Sequence, residues 1–305
     1  MNFTDKNHLS YSIGDRKYGF RESVIDKFTV EVGKIDPQHY AKTNFETELQ
    51  RTADLVYREF GNDFILLLSG GTDSEIVAHN FLSIGIKPYC VTARFVGDYN
   101  LTDVEEAKRI TKELDLKHDI IDFDIREFYY SGQASEFGSG IQCTQITYNM
   151  CYFLLNRLQS AGVMGGEALL TRNVTKNDSY WYWTFRENED ASAMRFAIKY
   201  NLPLVNEWFS YTPELLLCYL EDTEIVKLVT EKYNYKLTSV SSKNRILKRL
   251  CPYVTEKRKT HGFENLLAFN HQSYRDTASL VLPRLEPSLD GIKYEEVIQQ
   301  LRGIE

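Results

Sequence analysis

The chain has 305 residues, 43% hydrophobic and 26% charged, with a net charge of −7. That length suits one large globular domain or two smaller ones, and the acidic balance argues against a broad nucleic-acid-binding surface. No apolar run approaches the ~20 residues needed to cross a bilayer, and the opening Met-Asn-Phe-Thr-Asp-Lys lacks the basic and apolar segments of a signal peptide. Five scattered cysteines, Cys90, Cys143, Cys151, Cys218 and Cys251, include no Cys-x-x-Cys pair. Reduced thiols in a cytoplasmic setting, and no zinc site, are expected from that pattern.

In chain order, residues 1–40 alternate β-like pieces with turns, at Leu9–Ile13, Lys17–Phe20 and Phe28–Val32. Residues 41–60 carry Phe45, Leu49, Ala53, Val56 and Phe60 at helical spacing. Residues 1–60 are therefore read as an N-terminal β and helical extension. Five apolar residues, Phe64 to Leu68, predict a buried strand. A turn of small residues, Ser69–Ser74, follows, and a helical pattern starts at Glu75 and stops at Gly85. A strand that runs through glycines into a helix N-terminus is built to hold an anion, because amide groups and the helix dipole both favour negative charge there. Gly70 and Gly71 let a phosphate approach the main chain, and Ser69, Thr72 and Ser74 add hydroxyl donors. Asp73 would repel a phosphate on its own, which calls for a divalent cation between them.

A strand is predicted at Tyr89–Phe95 and a helix opened by a capping box, Thr102-x-x-Glu105, with Val104, Ala107, Ile110 and Leu114 on one face. A third strand covers His118–Phe123, and a long helix, about 144–159, leads into the apolar Gly162–Met164. This β-α-β-α-β order predicts a parallel sheet with helices on both faces, whose ligands bind at the carboxyl ends of the strands. The aromatic run Tyr180–Phe185 reads as a strand with one buried face, or otherwise as a substrate wall. The α/β region is bounded at 61–200. Residues 201–305 read as a C-terminal helical lobe, with helices at Pro213–Leu220, Thr223–Tyr233, Lys243–Leu250, Tyr274–Leu282 and Tyr294–Arg302.

The Ser-Gly-Gly-x-Asp-Ser turn resembles the pyrophosphate loop of the N-type ATP pyrophosphatases; it lacks the Gly-Lys-Ser/Thr ending of a Walker loop. Three later segments resemble the synthetase domain shared by asparagine and β-lactam synthetases. Gly165-Gly166-Glu167, after a helix and short strand, is similar to that family's Gly-Glu-Gly-x-Asp-Glu turn, although Ala168 stands where a further acidic residue is expected. Asn201–Ser210 is similar to its apolar run ending in Pro-Phe-Leu-Asp, a structural stretch. Lys257–Phe263 is similar to its Arg-Pro-Lys-x-Gly-Phe signature, with Arg258, Gly262 and Phe263 in register and Lys259 one place early. The matches cover roughly residues 55–285.

The resemblance implies an adenine nucleotide alpha hydrolase-like fold with a five-stranded parallel sheet. It also implies ATP with Mg²⁺ as cofactors. Ser69, Gly70, Gly71, Thr72, Asp73 and Ser74 would take the phosphates. Thr92, Ala93 and Arg94 would lie by the nucleoside, with Gly165 and Gly166 across the cleft. Asp73 and Glu167 are the implied metal ligands, and Lys259, Glu167 and Arg258 the implied catalytic groups. His118 reads as structural, and His261 as a weaker site candidate. The implied chemistry is adenylation of a carboxylate with release of pyrophosphate, then amide formation with an amine or ammonia. The family's glutaminase domain opens with a cysteine after the initiator Met, whereas Asn2 follows Met1 here. The nitrogen is therefore expected as free ammonia, from a separate glutaminase or amine-donor partner, or from the substrate itself. Two alternatives stand: tRNA or nucleobase modification through adenylation, and ATP or AMP binding without turnover.

Overall fold

The computed structural model describes residues 8–23, 25–166, 170–174, 179–230, 246–254 and 291–304. At the N-terminus, β1 (Leu9–Ile13) pairs antiparallel with β2 (Arg16–Lys17) and β3 (Phe28–Val32). Leu9, Tyr11 and Ile13 alternate into the core, as a half-buried strand requires. The second strand is shorter than the expected Lys17–Phe20, because Tyr18 takes a left-handed conformation and turns the chain away. After the single-turn α1 (Pro37–Tyr40), α2 (Phe45–Phe60) begins at Asn44, whose side chain accepts from the Thr47 amide. It buries Phe45, Leu49, Ala53 and Val56.

The central unit runs β4 (Phe64–Leu67), α3 (Thr72–Ser83), β5 (Tyr89–Phe95), α4 (Leu101–Glu113), β6 (His118–Phe123), then α5 (Ile125–Tyr130), α6 (Gln133–Ser139) and α7 (Ile146–Leu158). It continues through β7 (Ala161–Val163), β8 (Leu170–Val174), β9 (Ser179–Thr184), α8 (Asp190–Tyr200) and β10 (Leu204–Val205). Five strands form one parallel sheet in the order β10-β7-β4-β5-β6. Phe64, Leu66 and Leu68 pack into one buried cluster and Ile65 and Leu67 into another, so helices cover both faces, as the unbroken apolar run anticipates. β4, β5 and β6 step outward in one direction. The chain then returns to the other side of β4 for β7 and β10, which places the switch in strand order between β4 and β7.

Two boundaries differ from the sequence reading. α3 starts at Thr72 rather than Glu75, so Thr72, Asp73 and Ser74 occupy its first turn and Gly71 is the N-cap. α4 starts at Leu101, and the expected capping box does not form. The residue at the cap is Asn100, whose side chain is spent on β5, accepting from the Phe95 amide and donating to the Ala93 carbonyl, both at 2.8 Å.

The aromatic run is indeed a strand, β9, in a second antiparallel sheet of order β11-β9-β8, where β11 is Gly291–Lys293. Tyr182, Trp183 and Thr184 are all buried, so the strand is covered on both faces rather than one. Helices α9 (Pro213–Leu220), α10 (Thr223–Thr230) and α11 (Tyr294–Arg302), with helical residues 246–250, make up the described C-terminal part. The predicted helix Tyr274–Leu282 lies outside the described residues. The five cysteines are free. Among the described residues, no helix is long and apolar enough to cross a membrane.

Candidate active site

The turn between β4 and α3 is held by its own residues and by its neighbours. Gly70 has φ +73°, and a Cβ there would fall well inside contact range of the Asp103 carbonyl in the first turn of α4. Only glycine fits both the dihedral and the close approach. The Ser74 hydroxyl donates to the Gly71 carbonyl at 2.9 Å, and Ser69 Oγ lies 3.3 Å from both Ser74 Oγ and the Gly71 amide. These two serines brace the turn, with Ser74 buried and Ser69 exposed. Gly71 supplies no capping side chain, and the first-turn amides of α3 have no carbonyl behind them within the helix. The half-buried Thr72 and Asp73 stand in that turn. Behind it, Glu75 is buried and paired with Arg109 of α4 at 3.1 Å, which locks the two helices together at the site.

The end of β5 is tied into the sheet. Thr92 is buried; its hydroxyl donates to the Leu68 carbonyl at 2.6 Å and accepts from His118 Nε2 at 2.8 Å. Thr111 Oγ1 lies 3.1 Å from the other imidazole nitrogen, and desolvation by burial lowers the His118 pKa. His118 is thus a neutral brace between β5, β6 and α4, as expected of a structural histidine. Ala93 is half-buried, and Arg94 is exposed and forms a two-pronged ion pair with Asp122 of β6 at 2.5 and 2.7 Å.

The second wall follows β7. The Met164 amide bonds to the Val205 carbonyl at 2.7 Å, and the Gly165 carbonyl accepts from the Trp208 amide at 3.1 Å. A Cβ on Gly165 would lie 2.8 Å from Asp73 Cβ and 2.9 Å from the Ser74 amide nitrogen. One on Gly166, at φ +48°, would strike the Asn206 carbonyl and lie 2.8 Å from Glu207 Cα. The two glycine turns therefore touch at Asp73 and Ser74, and the second turn also meets Asn206–Glu207 at the end of β10. Glu167, Ala168, Arg258 and Lys259, with the rest of the Lys257–Phe263 segment including His261, lie outside the described residues.

Around this contact the fold gathers side chains that the sequence reading passed over. Tyr148, in the first turn of α7, donates to Glu207 Oε1 at 3.1 Å. Asn206 Nδ2 donates to Asp190 Oδ1 at 3.3 Å, and the Arg186 amide to Asp190 Oδ2 at 2.6 Å. Arg186 also grips Glu189 at 2.6 and 2.7 Å. Burial, with the Glu189 charge adding to it, pushes the Asp190 carboxyl up to about 7. Burial among these carboxylates also holds the Tyr148 phenol well above its usual range. Asn206 and Glu207 were visible only as the tail of an apolar stretch. They reach the cleft because Leu204–Val205 pairs with Gly162–Val163.

No family model matches the chain, and no curated protein sequence does. Solved structures were found that align over much of the chain. One is described as a predicted subunit of tRNA methyltransferase from Methanocaldococcus jannaschii, with TM-score 0.36, 14% identity, and coverage of 74% of this chain and 94% of that one. NMN synthetase from Francisella tularensis has TM-score 0.32 and 15% identity, with 84% and 100% coverage. NH3-dependent NAD synthetase from Campylobacter jejuni has TM-score 0.32 and 14% identity, with 82% and 99% coverage. The α/β assignment rests on the strand order itself. In open parallel sheets of this kind, ligands sit outside the carboxyl ends of the strands at the switch point, which here lies between the Ser69–Ser74 and Gly165–Gly166 turns.

Proposed function

We propose that the chain is an ATP-dependent, AMP-forming ligase that adenylates a carboxylate, releases pyrophosphate and passes the acyl group to an amine or ammonia. The observation that supports this best is the contact between the two glycine turns at the switch point. It sets a phosphate-accepting helix start against a second turn with carboxylates beyond it. The amides of Thr72, Asp73 and Ser74 would receive the β- and γ-phosphates as charge accumulates on them, a fixed electrostatic stabilisation of the leaving group. Among the described residues, no three His, Cys, Asp or Glu converge to hold a metal. A magnesium site built from one or two carboxylates plus substrate phosphates needs no such cage. Asp73, beside the bare Gly165, fits that role with Glu167 as its expected partner, and the ion would neutralise charge on the departing pyrophosphate.

In the first step a carboxylate oxygen bonds to the α-phosphorus as its bond to pyrophosphate breaks. In the second the amine nitrogen bonds to the acyl carbon, AMP leaves with the C–O bonding pair, and a proton leaves the nitrogen. Lys259 is proposed to meet the pyrophosphate charge, with Arg258 as the neighbouring cation. The described chain packs Tyr253 against His79 of α3, with ring centroids 4.6 Å apart, and buries Val254.

The test is release of AMP and pyrophosphate from ATP and Mg²⁺ across a panel of carboxylates with ammonia or simple amines. Asp73→Ala and Lys259→Ala are expected to abolish release without changing the circular dichroism spectrum. Hydrolysis to ADP, or no turnover across the panel, would contradict the reading.

A further inference from the structure

Helix α8 opens on a buried acid. Its N-cap, Glu189, makes no capping hydrogen bond, and its first residue, Asp190, is only 7% exposed. The Asp190 side chain turns back on the approach to the helix, where Oδ2 accepts from the Arg186 amide at 2.6 Å. Oδ1 reaches the other way, to the end of β10, and accepts from Asn206 Nδ2 at 3.3 Å. The Arg186 guanidinium is taken by Glu189, at 2.6 and 2.7 Å. Around Asp190 stand Arg186 and Glu189 from the same turn, Tyr148 and Tyr152 from α7, and Glu207 beyond Asn206. Burial and the Glu189 charge push the carboxyl up to about 7. The Asn206 amide suits either state of that carboxyl, since it donates from Nδ2 and, turned over, accepts at Oδ1.

Asn206 faces two ways. Its side chain is held by Asp190, and its main-chain carbonyl lies against the bare Gly166. Two main-chain bonds bracket it, Met164 amide to Val205 carbonyl at 2.7 Å and Trp208 amide to Gly165 carbonyl at 3.1 Å. Between those bonds Asn206 and Glu207 cross the glycine turn, whose other side meets Asp73 and Ser74. One side-chain bond, from a different element, thus orients the stretch of main chain that backs the second turn.

We propose that Asp190 is a positioning residue for the cleft: by holding the Asn206 side chain it fixes the main chain that seats the Gly165–Gly166 turn against Asp73 and Ser74. Its effect on turnover rests on the ligase reading above; the seating of the turn does not.

The experiment combines amide hydrogen exchange with exchange of pyrophosphate into ATP, on the full chain and four variants. Asn206→Leu and Asp190→Ala break the link from either end, the third variant combines them, and Asp190→Asn keeps a hydrogen bond once the Asn206 amide turns over. Asn206→Leu and Asp190→Ala are each expected to speed exchange of the Met164 and Trp208 amides about tenfold, as for one local hydrogen bond lost. The Gly162 amide, bonded to the Pro203 carbonyl at the other end of the same strand pair, should stay within about twofold and so report that the fold is intact. The same two variants should lower kcat of pyrophosphate exchange about tenfold with KM for ATP within about twofold, because the Ser69–Ser74 turn is braced by its own serines. The combined variant should be no worse than the poorer single one, and Asp190→Asn should stay within about threefold of wild type. Unchanged Met164 and Trp208 amides in Asn206→Leu, additive losses in the combined variant, or Asp190→Asn as damaging as Asp190→Ala would overturn the assignment. A wild type that exchanges no pyrophosphate removes the ligase reading and leaves the amides to decide the seating. Pyrophosphate exchange with unaltered amides in the variants removes only the seating.

Discussion

Gly70 and Gly165 fail differently when a methyl group is added, and the difference locates the site. At Gly70 the left-handed dihedral and the Asp103 carbonyl both oppose a Cβ, and neither the turn nor α4 can yield without moving backbone. Gly70→Ala is expected to lower unfolding free energy by about 2–4 kcal/mol and to abolish nucleotide binding, read by urea denaturation and equilibrium titration with ATP. Gly165 does not have a left-handed dihedral, and its Cβ would meet Asp73 and Ser74 at 2.8–2.9 Å. Gly165→Ala should separate the two turns by a few tenths of an ångström and reduce turnover more than stability. His8 yields a pH signature at the same scale. Its Nε2 lies 2.6 Å from the Ser210 carbonyl, and burial lowers its pKa from 6.5 to about 4. The unfolded chain takes up this proton as pH falls through 6.5, and the folded chain does so only near 4. The stability it contributes is therefore full above about pH 6.5 and lost as pH falls toward 4. Between those limits the wild type should lose about 3 kcal/mol more than His8→Gln, measured by urea unfolding across the range.

At the scale of elements, the N-terminal sheet is fastened to α8 by a buried ion network. Glu187, just before α8, pairs with Arg21 at 2.6 Å and Arg195 at 3.2 Å, and Arg195 is fully buried with its guanidinium 5.2 Å from the Tyr11 ring centre. Glu187→Ala would strand two buried guanidinium groups and should cost about 3–5 kcal/mol, whereas Glu187→Gln should cost less; chemical denaturation distinguishes them. None of this network was legible in the sequence, because Arg21 lies 166 positions from Glu187 and each member looks like an ordinary charged residue. The strands were legible, since Phe64–Leu67, Tyr89–Phe95 and His118–Phe123 are apolar or β-branched runs bounded by turns. The helix starts were not. Thr72 and Asp73 look like turn residues, but the first turn of α3 begins there. Asn100 outcompeted Thr102 as the start of α4 because its side chain had work to do on β5. The Ser69–Ser74 half of the site could be read because it is contiguous. Tyr148, Asp190 and Glu207 could not, because only the two-residue pairing of β10 with β7 carries Glu207 to Gly166, where Tyr148 meets it, and Asp190 joins through Asn206.

In the whole molecule the cleft is assembled from segments that share little but the carboxyl edge of one sheet: the start of α3, the turn after β7, the end of β10 and the first turn of α7. Such a site is rigid where strands end and depends on the packing that brings distant stretches together. Occupying it should therefore stabilise the entire fold rather than one loop. A ligand that binds only the folded chain adds about 2.7 kcal/mol when present at a hundred times its dissociation constant. For a chain of this size that corresponds to a rise in Tm of roughly 5 °C. ATP with Mg²⁺ should produce such a shift in a thermal melt, and ATP with a chelator a smaller one. Asp73→Ala should remove the difference between the two while leaving the unliganded Tm within about 2 °C, since Asp73 is half-buried at a helix start, where its replacement costs only about 1 kcal/mol. A metal-dependent shift that persists in Asp73→Ala would move the cation to other carboxylates, and no shift with either form of ATP would remove the nucleotide from the cleft.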